Sequence, residues 1–450
     1  MPFTFKKIYY FASVASLGFI GWAIGHFGET NLPPLILTVR YIILALYANW
    51  FLSYIILVSD RKIENEKPAG WIWLAFAGLF LSLMHPVFSG DLMEYLIRGR
   101  MLAIYHKSPY QFVPNDFPDD ILRPFSIWVT NPDSYGPISV YLQTLPVLIF
   151  PTSIVWMIWA YKIMVLIFFG IAVMFFWKIT QNLKLPNPIQ LWAMFAYCPL
   201  IIVAAFIDGH NDVIMMALSL ASLYFLIKNQ YDRAFLFWTF GFLVKYMVVI
   251  QLPFMVVYAV KKQWNSRKAF PLAFIIKQVL INTAVIVICF APVWGGEKTF
   301  LAILRQKGSF YTNTIPYVFF LVPKFFGWVI DQQLLKTFFI GLFLIFYSYL
   351  LRWCWKKHQT ISEDFFKIVS LGYLAFYAAL PSPMGYWYLL WAIFWIVLAC
   401  WPKSILLVTL YSAVGLFSFF KRINFLSIAA AFIYGACLIW SRFFSKSGIK

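Results

Sequence analysis

The chain has 450 residues, of which 62% are hydrophobic, 21% are aromatic and only 12% are charged. Many of its apolar runs reach the roughly 20 residues of a membrane span, which excludes a soluble globular protein. The net charge of +19 is spread over short loops that alternate along the chain, so it indicates membrane topology and not a nucleic-acid surface. We therefore predict an all-α polytopic membrane protein with membrane lipids as surroundings and no nucleic-acid partner.

The first predicted spans are residues 8–25, 35–58 and 71–88. Lys6 and Lys7 precede the first span and no small-residue cleavage site follows it, so we expect an uncleaved span with the N-terminus inside. The third span then delivers the chain to the outer face. We predict that residues 89–152 form the first large external loop.

A cluster of charges opens this loop. If residues from about Gly90 are helical, Asp91, Glu94 and Arg98 share one face, and Ser89 or Asp91 can cap the helix. One interpretation is a well-capped helix beside the membrane. The other is a carboxylate that acts as a catalytic base, with Arg98 or Arg100 holding a phosphate of a lipid-linked substrate.

The middle of the chain alternates between the two faces. Residues 137–150 are too short for a span and are expected to lie in the interface, whereas 153–177 and 189–207 are predicted spans. Residues 235–260 are too long for one helix and contain Lys245, so we predict a hairpin whose outer turn presents this lysine. Lys245 either anchors a lipid phosphate or snorkels to the interface.

The turn at residues 208–212 is polar and precedes an apolar helix. Asn211 or Asp212 can cap that helix, which is the purely structural interpretation. The turn can also bind or orient a sugar. His210 beside two acids allows a metal ligand, but no further ligand pattern accompanies it.

The remaining residues add a predicted span at 271–293 and a second large external loop at about 294–334. Further spans follow, interrupted by an outer turn at 381–385 and by residues 402–403. In total we expect about 14 membrane or re-entrant helices in one domain of residues 1–450, with both ends inside. Aromatic residues such as Trp387 and Tyr388 are, taken alone, typical of an interfacial belt.

Six short motifs resemble, in the same order, those of the GT-C superfamily of polytopic glycosyltransferases. The resemblance is greatest to the bacterial α-mannosyltransferases that use polyprenyl-phosphate mannose, and it covers roughly residues 85–395. The matching residues are Ser89-Gly90-Asp91 with Tyr95 and Gly99-Arg100, Ser108-Pro109-Tyr110, Tyr135-Gly136-Pro137, Gly209-His210-Asn211-Asp212, Val244-Lys245 and Trp387-Tyr388-Leu389-Leu390-Trp391.

The resemblance implies a GT-C-like fold and an inverting sugar transfer at the outer face of the bacterial cytoplasmic membrane. The donor would be a polyprenyl-phosphate sugar, most simply mannose, and the acceptor a lipid-linked glycan or glycolipid. Asp91 matches the acid of the first external loop and would be the general base. The residues expected to bind substrate are Glu94, Arg98, Arg100, Tyr110, Tyr135, His210, Asn211, Asp212, Lys245, Trp387 and Tyr388.

One departure from the family pattern bears on metal dependence. Some relatives carry Asp-x-Asp in the first external loop, whereas Ser89 occupies the first of these positions here. We therefore predict neither a bound metal nor another cofactor.

Two other classes of protein stay open. A polyprenyl-linked glycan flippase or transporter would place ionisable residues inside its helices. A non-catalytic membrane protein of envelope assembly would tolerate the loss of Asp91.

Overall fold

The computed structural model describes residues 3–27, 33–60, 78–84, 86, 89–300, 315–357, 361–379 and 385–400. Within these ranges the regular secondary structure is entirely helical. The predicted outer turn is described only at Gly385, and residues 402–403 and the last predicted spans lie outside the described residues. The third predicted span, at 71–88, is described only in part. The described chain fits the predicted helical membrane protein.

The N-terminal helices lie close to the positions that the sequence predicted. Helix α1 (Phe3–Phe27) packs against α2 (Pro33–Val58), where the first two spans were predicted. Helix α3 (Asp91–Ala103) opens the predicted external loop, and α4 (Pro137–Ile149) is the short segment expected in the interface. Helix α5 (Ile154–Asn182) begins after Ser153, whose hydroxyl accepts a hydrogen bond from the backbone N–H of Trp156.

The fifth predicted span is broken, which corrects the expectation of one continuous helix at 189–207. Helix α6 (Pro188–Ala196) is followed by α7 (Pro199–Ile202), which continues as a π-helix at Val203–Ile207. The two parts meet at an angle of 44°. Pro199 explains the break because proline has no N–H to continue the hydrogen bonds of the preceding helix.

The chain interruption at Lys245 was predicted, but the surroundings of this lysine were not. Helix α8 (Asn211–Ile227) packs against α9 (Tyr231–Val244), and α9 ends where Lys245 adopts an extended conformation. Only 7% of Lys245 is exposed, so the prediction of an outer turn that presents it was wrong. The carboxylate of Asp212 lies beside Lys245 inside the protein and compensates the burial of its charge.

The remaining helices complete the described chain. Their bounds are α10 (Leu252–Arg267), α11 (Leu272–Phe290), α12 (Ile315–Phe325), α13 (Gln332–Lys357), α14 (Glu363–Ala379) and α15 (Leu390–Leu398). Helix α15 is almost entirely buried and packs against α6, α8 and α14. This packing brings the C-terminal aromatic motif to the polar turn at 208–212.

Three described helices are long and apolar enough to cross a membrane, or four if the bent pair α6–α7 is one span. The three are Ile154–Asn182, Leu272–Val293 and Gln332–Lys356. Several other apolar helices in the described chain, including α4 and α8, are shorter. The total of about 14 helices, the domain limits and the external-loop boundaries therefore stay predictions.

Two glycines allow the close backbone contacts that position the candidate site. A Cβ on Gly99 would lie 2.1 Å from the carbonyl oxygen of Gln143, so α3 can approach α4 only without a side chain there. A Cβ on Gly136 would lie 2.1 Å from the carbonyl oxygen of Leu243. The first contact joins α3 to the middle of α4, and the second joins the start of α4 to the end of α9.

Candidate active site

Asp91 is the first residue of α3 and its side chain caps nothing. Gly90 occupies the N-cap position, and the Ser89 hydroxyl accepts a hydrogen bond from the Asp91 N–H at 3.1 Å. The capping role considered for Asp91 is therefore not used in this structure, whereas Ser89 satisfies one backbone donor. The Asp91 carboxylate is left to face other elements of the fold.

Two side chains from distant segments meet Asp91. The Tyr135 hydroxyl donates to Asp91 Oδ2 at 3.4 Å, and His210 Nδ1 lies 3.9 Å from the same oxygen. The Asp91 side chain keeps 17% of its surface exposed, while His210 is fully buried. Asp91 thus lies at the edge of a buried polar cluster, with part of its side chain open to the surroundings.

His210 is held by contacts on several sides. The Tyr95 hydroxyl lies 3.3 Å from His210 Nδ1 and donates to Asn211 Oδ1 at 3.2 Å. The imidazole stacks on Trp387 with ring centroids 4.3 Å apart. Burial lowers the pKa of His210 well below its usual value, and the positive charge of Lys245 lowers it further. His210 is therefore neutral at pH 7.

The turn at 208–212 does not cap α8 in the predicted way. His210 takes the N-cap position without a side-chain cap bond, and Asn211 and Asp212 are the first helical residues. The Asn211 amide donates to Ser139 Oγ at 3.1 Å, so it joins α8 to α4. The polar side chains of this turn bind neighbouring helices.

Asp212 pairs with the lysine that was expected at an outer turn. Lys245 Nζ lies 2.8 Å from Asp212 Oδ2, and Trp391 Nε1 donates to Asp212 Oδ1 at 2.6 Å. The Lys245 ammonium also lies 5.0 to 5.7 Å from the ring centroids of Tyr135, Tyr388 and Trp391. Carboxylate and aromatic faces together compensate the burial of this cation. A snorkelling role for Lys245 does not fit this burial.

The environment of Asp91 makes it a stronger base than an ordinary aspartate. Burial raises the pKa of Asp91 to about 6; the positive charge of Lys245 opposes this, and the carboxylates of Asp212 and Glu94 reinforce it. The group remains mostly ionised at pH 7. A carboxylate with this pKa accepts a proton more readily than one near 3.9.

Glu94 and Arg98 contact each other and the loop that was predicted to be external. Arg98 Nη1 lies 2.5 Å from Glu94 Oε2, and Arg98 Nε lies 3.9 Å from Asp133 Oδ1. Glu94 also accepts hydrogen bonds from Ser126 Oγ and from the backbone N–H groups of Ile127 and Trp128. These side chains therefore hold the loop in this structure, and their contact with substrate stays a prediction.

Arg100 likewise has partners inside the protein. Its Nε lies 2.7 Å from Asp120 Oδ2, and its Nη1 donates to the carbonyl oxygen of Pro151. Tyr110, a further predicted substrate residue, lies in a separate buried cluster, and its hydroxyl donates to the Tyr135 carbonyl oxygen at 2.8 Å. The structure brings neither side chain to the Asp91 carboxylate.

Three contacts of the cluster were not assigned from the sequence. Tyr95 was matched with the Asp91 motif but given no role, although it lies one helical turn after Asp91 and helical periodicity places it near that residue. Trp391 was matched as part of a motif, but its bond to Asp212 was not foreseen. Ser139 carries no local signal, because only the packing of α4 on α8 reveals its bond to Asn211.

In the described part of the chain, no group of three or more His, Cys, Asp or Glu side chains is arranged to hold a metal. The expectation of no metal and no cofactor stays a prediction.

The comparisons with known proteins agree with the motifs. Residues 19–261 match the family model described as alpha-(1->6)-mannopyranosyltransferase, N-terminal domain, which covers more than half of the chain and includes Asp91, His210 and Lys245. Alpha-(1->6)-mannopyranosyltransferase A of Mycobacterium tuberculosis is 25% identical over 237 residues, 52% of this chain and 45% of the relative. The chain thus matches less than half the length of that relative. No solved structure matches. By its match over residues 19–261, the chain belongs to the family of the alpha-(1->6)-mannopyranosyltransferase N-terminal domain.

Proposed function

We propose that this chain is a membrane mannosyltransferase. In this proposal it moves mannose from a polyprenyl-phosphate donor to a lipid-linked glycan or glycolipid on the extracytoplasmic face of a bacterial cytoplasmic membrane. Family membership supports the transfer of mannose, and the apolar helices support a lipid-linked donor. Asp91 acts as the general base, and the configuration at the anomeric carbon inverts.

The observation that carries the proposal is the position of Asp91. Its carboxylate is partly exposed, it belongs to a segment that the family model matches, and its pKa of about 6 suits proton transfer near neutral pH. The neighbouring acid Asp212 is fully buried and bonds both Lys245 and Trp391. Asp91 is therefore the better base of the two.

The proposed reaction is a single displacement. The acceptor hydroxyl oxygen forms a bond to the anomeric carbon, while the bond from that carbon to the phosphate oxygen breaks and its electron pair leaves with the lipid phosphate. The hydroxyl proton passes to Asp91. Because the phosphate is already a good leaving group, the protein's main tasks are alignment of the acceptor and removal of this proton.

The direct test supplies the purified protein with radiolabelled polyprenyl-phosphate mannose and total membrane glycolipids. We expect labelled mannose to appear in a glycolipid with the opposite anomeric configuration to that of the donor. Label in a product of unchanged configuration would contradict the displacement. No transfer from this donor, combined with transfer from a nucleotide sugar, would contradict the lipid-linked donor.

The location of the site predicts a labelling pattern. In a variant without native cysteines, a cysteine at Asp119 should react with an impermeant thiol reagent added outside intact cells. A cysteine at Lys262 should react only after the membrane is opened, because basic loops stay inside. The reverse pattern would move the candidate site to the cytoplasmic side.

The pKa of Asp91 predicts how the rate depends on pH. A base works only when deprotonated, so kcat/KM should be level above pH 7 and fall about tenfold per pH unit well below about pH 6. The measurement is kcat/KM for the donor between pH 4.5 and pH 8, in a range where the protein stays folded. A rate that is constant down to pH 5 would indicate a base with an ordinary aspartate pKa.

A transporter is the second candidate because one span contains a buried charge. Lys162 in α5 is fully buried, and its ammonium donates to the carbonyl oxygens of Met84 and Ser82 at 2.5 and 3.4 Å. Asp208, also buried, interacts with this charge. In a reconstituted vesicle, movement of the labelled donor across the membrane without mannose transfer would favour this function. If the protein showed neither transfer nor transport and cells tolerated the loss of Asp91, a non-catalytic assembly role would be favoured.

A further inference from the structure

Four large apolar side chains of the first external loop lie on the surface. Ile121, Phe125, Ile127 and Trp128 are 39%, 51%, 67% and 50% exposed, and we call them the loop ridge. A single exposed apolar residue is common in any protein. Four within residues 121–128 of the predicted external loop form a local apolar surface, which is typical of an interaction site.

Buried charges of α3 hold both ends of the ridge in place. Glu94 Oε1 accepts hydrogen bonds from the backbone N–H groups of Ile127 and Trp128, and the Trp128 nitrogen lies 2.9 Å from it. At the other end, the Leu122 N–H donates to Asp120 Oδ1 at 2.8 Å, and Arg100 pairs with Asp120 Oδ2 at 2.7 Å. Breaking these contacts would leave buried charges unpaired, which is strongly unfavourable in free energy. The contacts therefore fix the ridge firmly to α3.

The same arginine indicates the depth of the ridge. Arg100 also donates to the carbonyl oxygen of Pro151, just before α5 begins at Ile154. Helix α5 is one of the candidate spans, and its first turn exposes Val155 and Trp156, each by 57%. The ridge is therefore tied to the point where a membrane helix starts.

The charge of the segment that carries the ridge suits a lipid head-group region. Between the buried acids Asp120 and Asp133, the only charged residue is Arg123, whose guanidinium donates to Asn115 Oδ1 at 2.7 Å. Anionic lipid head groups attract a cation and repel acids, and tryptophan is favoured at the membrane interface. The segment 121–128, which carries the ridge, contains both a cation, Arg123, and a tryptophan, Trp128.

We infer that the loop ridge inserts into the membrane leaflet on the side of the candidate site and sets the depth of Asp91. A Cβ on Gly90 would lie 2.8 Å from Ile127 Cδ1, so the ridge touches the start of α3 directly beside Asp91. In this arrangement Glu94 and Arg100 position the site through the loop. The inference concerns lipid contact and does not depend on the proposed transfer reaction.

The test measures depth without any assay of activity. Cysteines at Ile127 and, as matched control, at Asp119 of the same loop are introduced into the full chain without native cysteines and labelled with a nitroxide. Both side chains are exposed, so neither label should disturb the fold. The proteins are placed in nanodiscs of phosphatidylcholine and phosphatidylglycerol, and relaxation by oxygen and by a nickel chelate is compared.

At position 127 we expect the ratio of oxygen to nickel-chelate accessibility to be severalfold higher than at position 119, as for a group below the head groups. Equal ratios at the two positions would overturn the inference. So would a label at 127 that is open to the chelate in nanodiscs but shielded in native membranes, because that result would assign the ridge to a protein partner.

Discussion

The Asp91→Asn variant should lose mannose transfer by roughly 10² to 10⁴-fold, the usual contribution of a positioned general base. Asparagine keeps the shape of the side chain and can still accept the Tyr135 hydrogen bond, but it cannot take the acceptor proton. Because the Asp91 side chain caps nothing and burial disfavours its charge, as the raised pKa of Asp91 shows, the neutral variant should fold at least as stably as the wild type at pH 7. The measurements are the transfer rate and donor binding in the same preparation.

Ser89→Ala is the matched control for this variant. It removes the side chain that accepts the Asp91 N–H and leaves the carboxylate in place. We expect it to lower thermal stability slightly and to retain far more activity than Asp91→Asn. Near-wild-type turnover of Asp91→Asn would exclude Asp91 as the base and leave Asp208 or Asp212 as the next acid to test.

The Lys245→Met variant should be strongly destabilised. Lys245 and Asp212 form a buried pair, with side chains 8% and 0% exposed. Removing the lysine leaves an uncompensated buried carboxylate, which typically costs about 3–5 kcal/mol. A fall in the melting temperature of the purified protein measures this loss.

The double variant Lys245→Met with Asp212→Asn separates stability from donor binding. Asparagine removes the buried charge and can still accept the Trp391 bond, so most of the lost stability should return. If Lys245 holds the donor phosphate, the donor KM of the double variant should stay about tenfold to 150-fold above that of the wild type, the equivalent of a lost bond of about 1.5–3 kcal/mol. An unchanged donor KM would restrict Lys245 to its structural pair.

Several features of this protein followed from local sequence. Apolar run length predicted the positions of α1, α2, α5 and α11, because a long apolar segment satisfies its own backbone hydrogen bonds as a helix. The start of α3 at Asp91 followed from the change from apolar to charged residues. Motif order predicted the family, which the match over residues 19–261 confirmed.

The partners of the charged residues were decided by tertiary structure. Local spacing placed Lys245 at a break in the chain, but its pair with Asp212 and the bond from Trp391 join three separate segments. From the sequence, Arg98 or Arg100 was expected to hold a phosphate, and their bonds to Glu94 and Asp120 were not foreseen, because a sequence does not show which carboxylate a buried guanidinium will meet. Helix packing settles such pairs: burial penalises every unpaired charge, and only the faces that the helices bring together determine which partners are within reach.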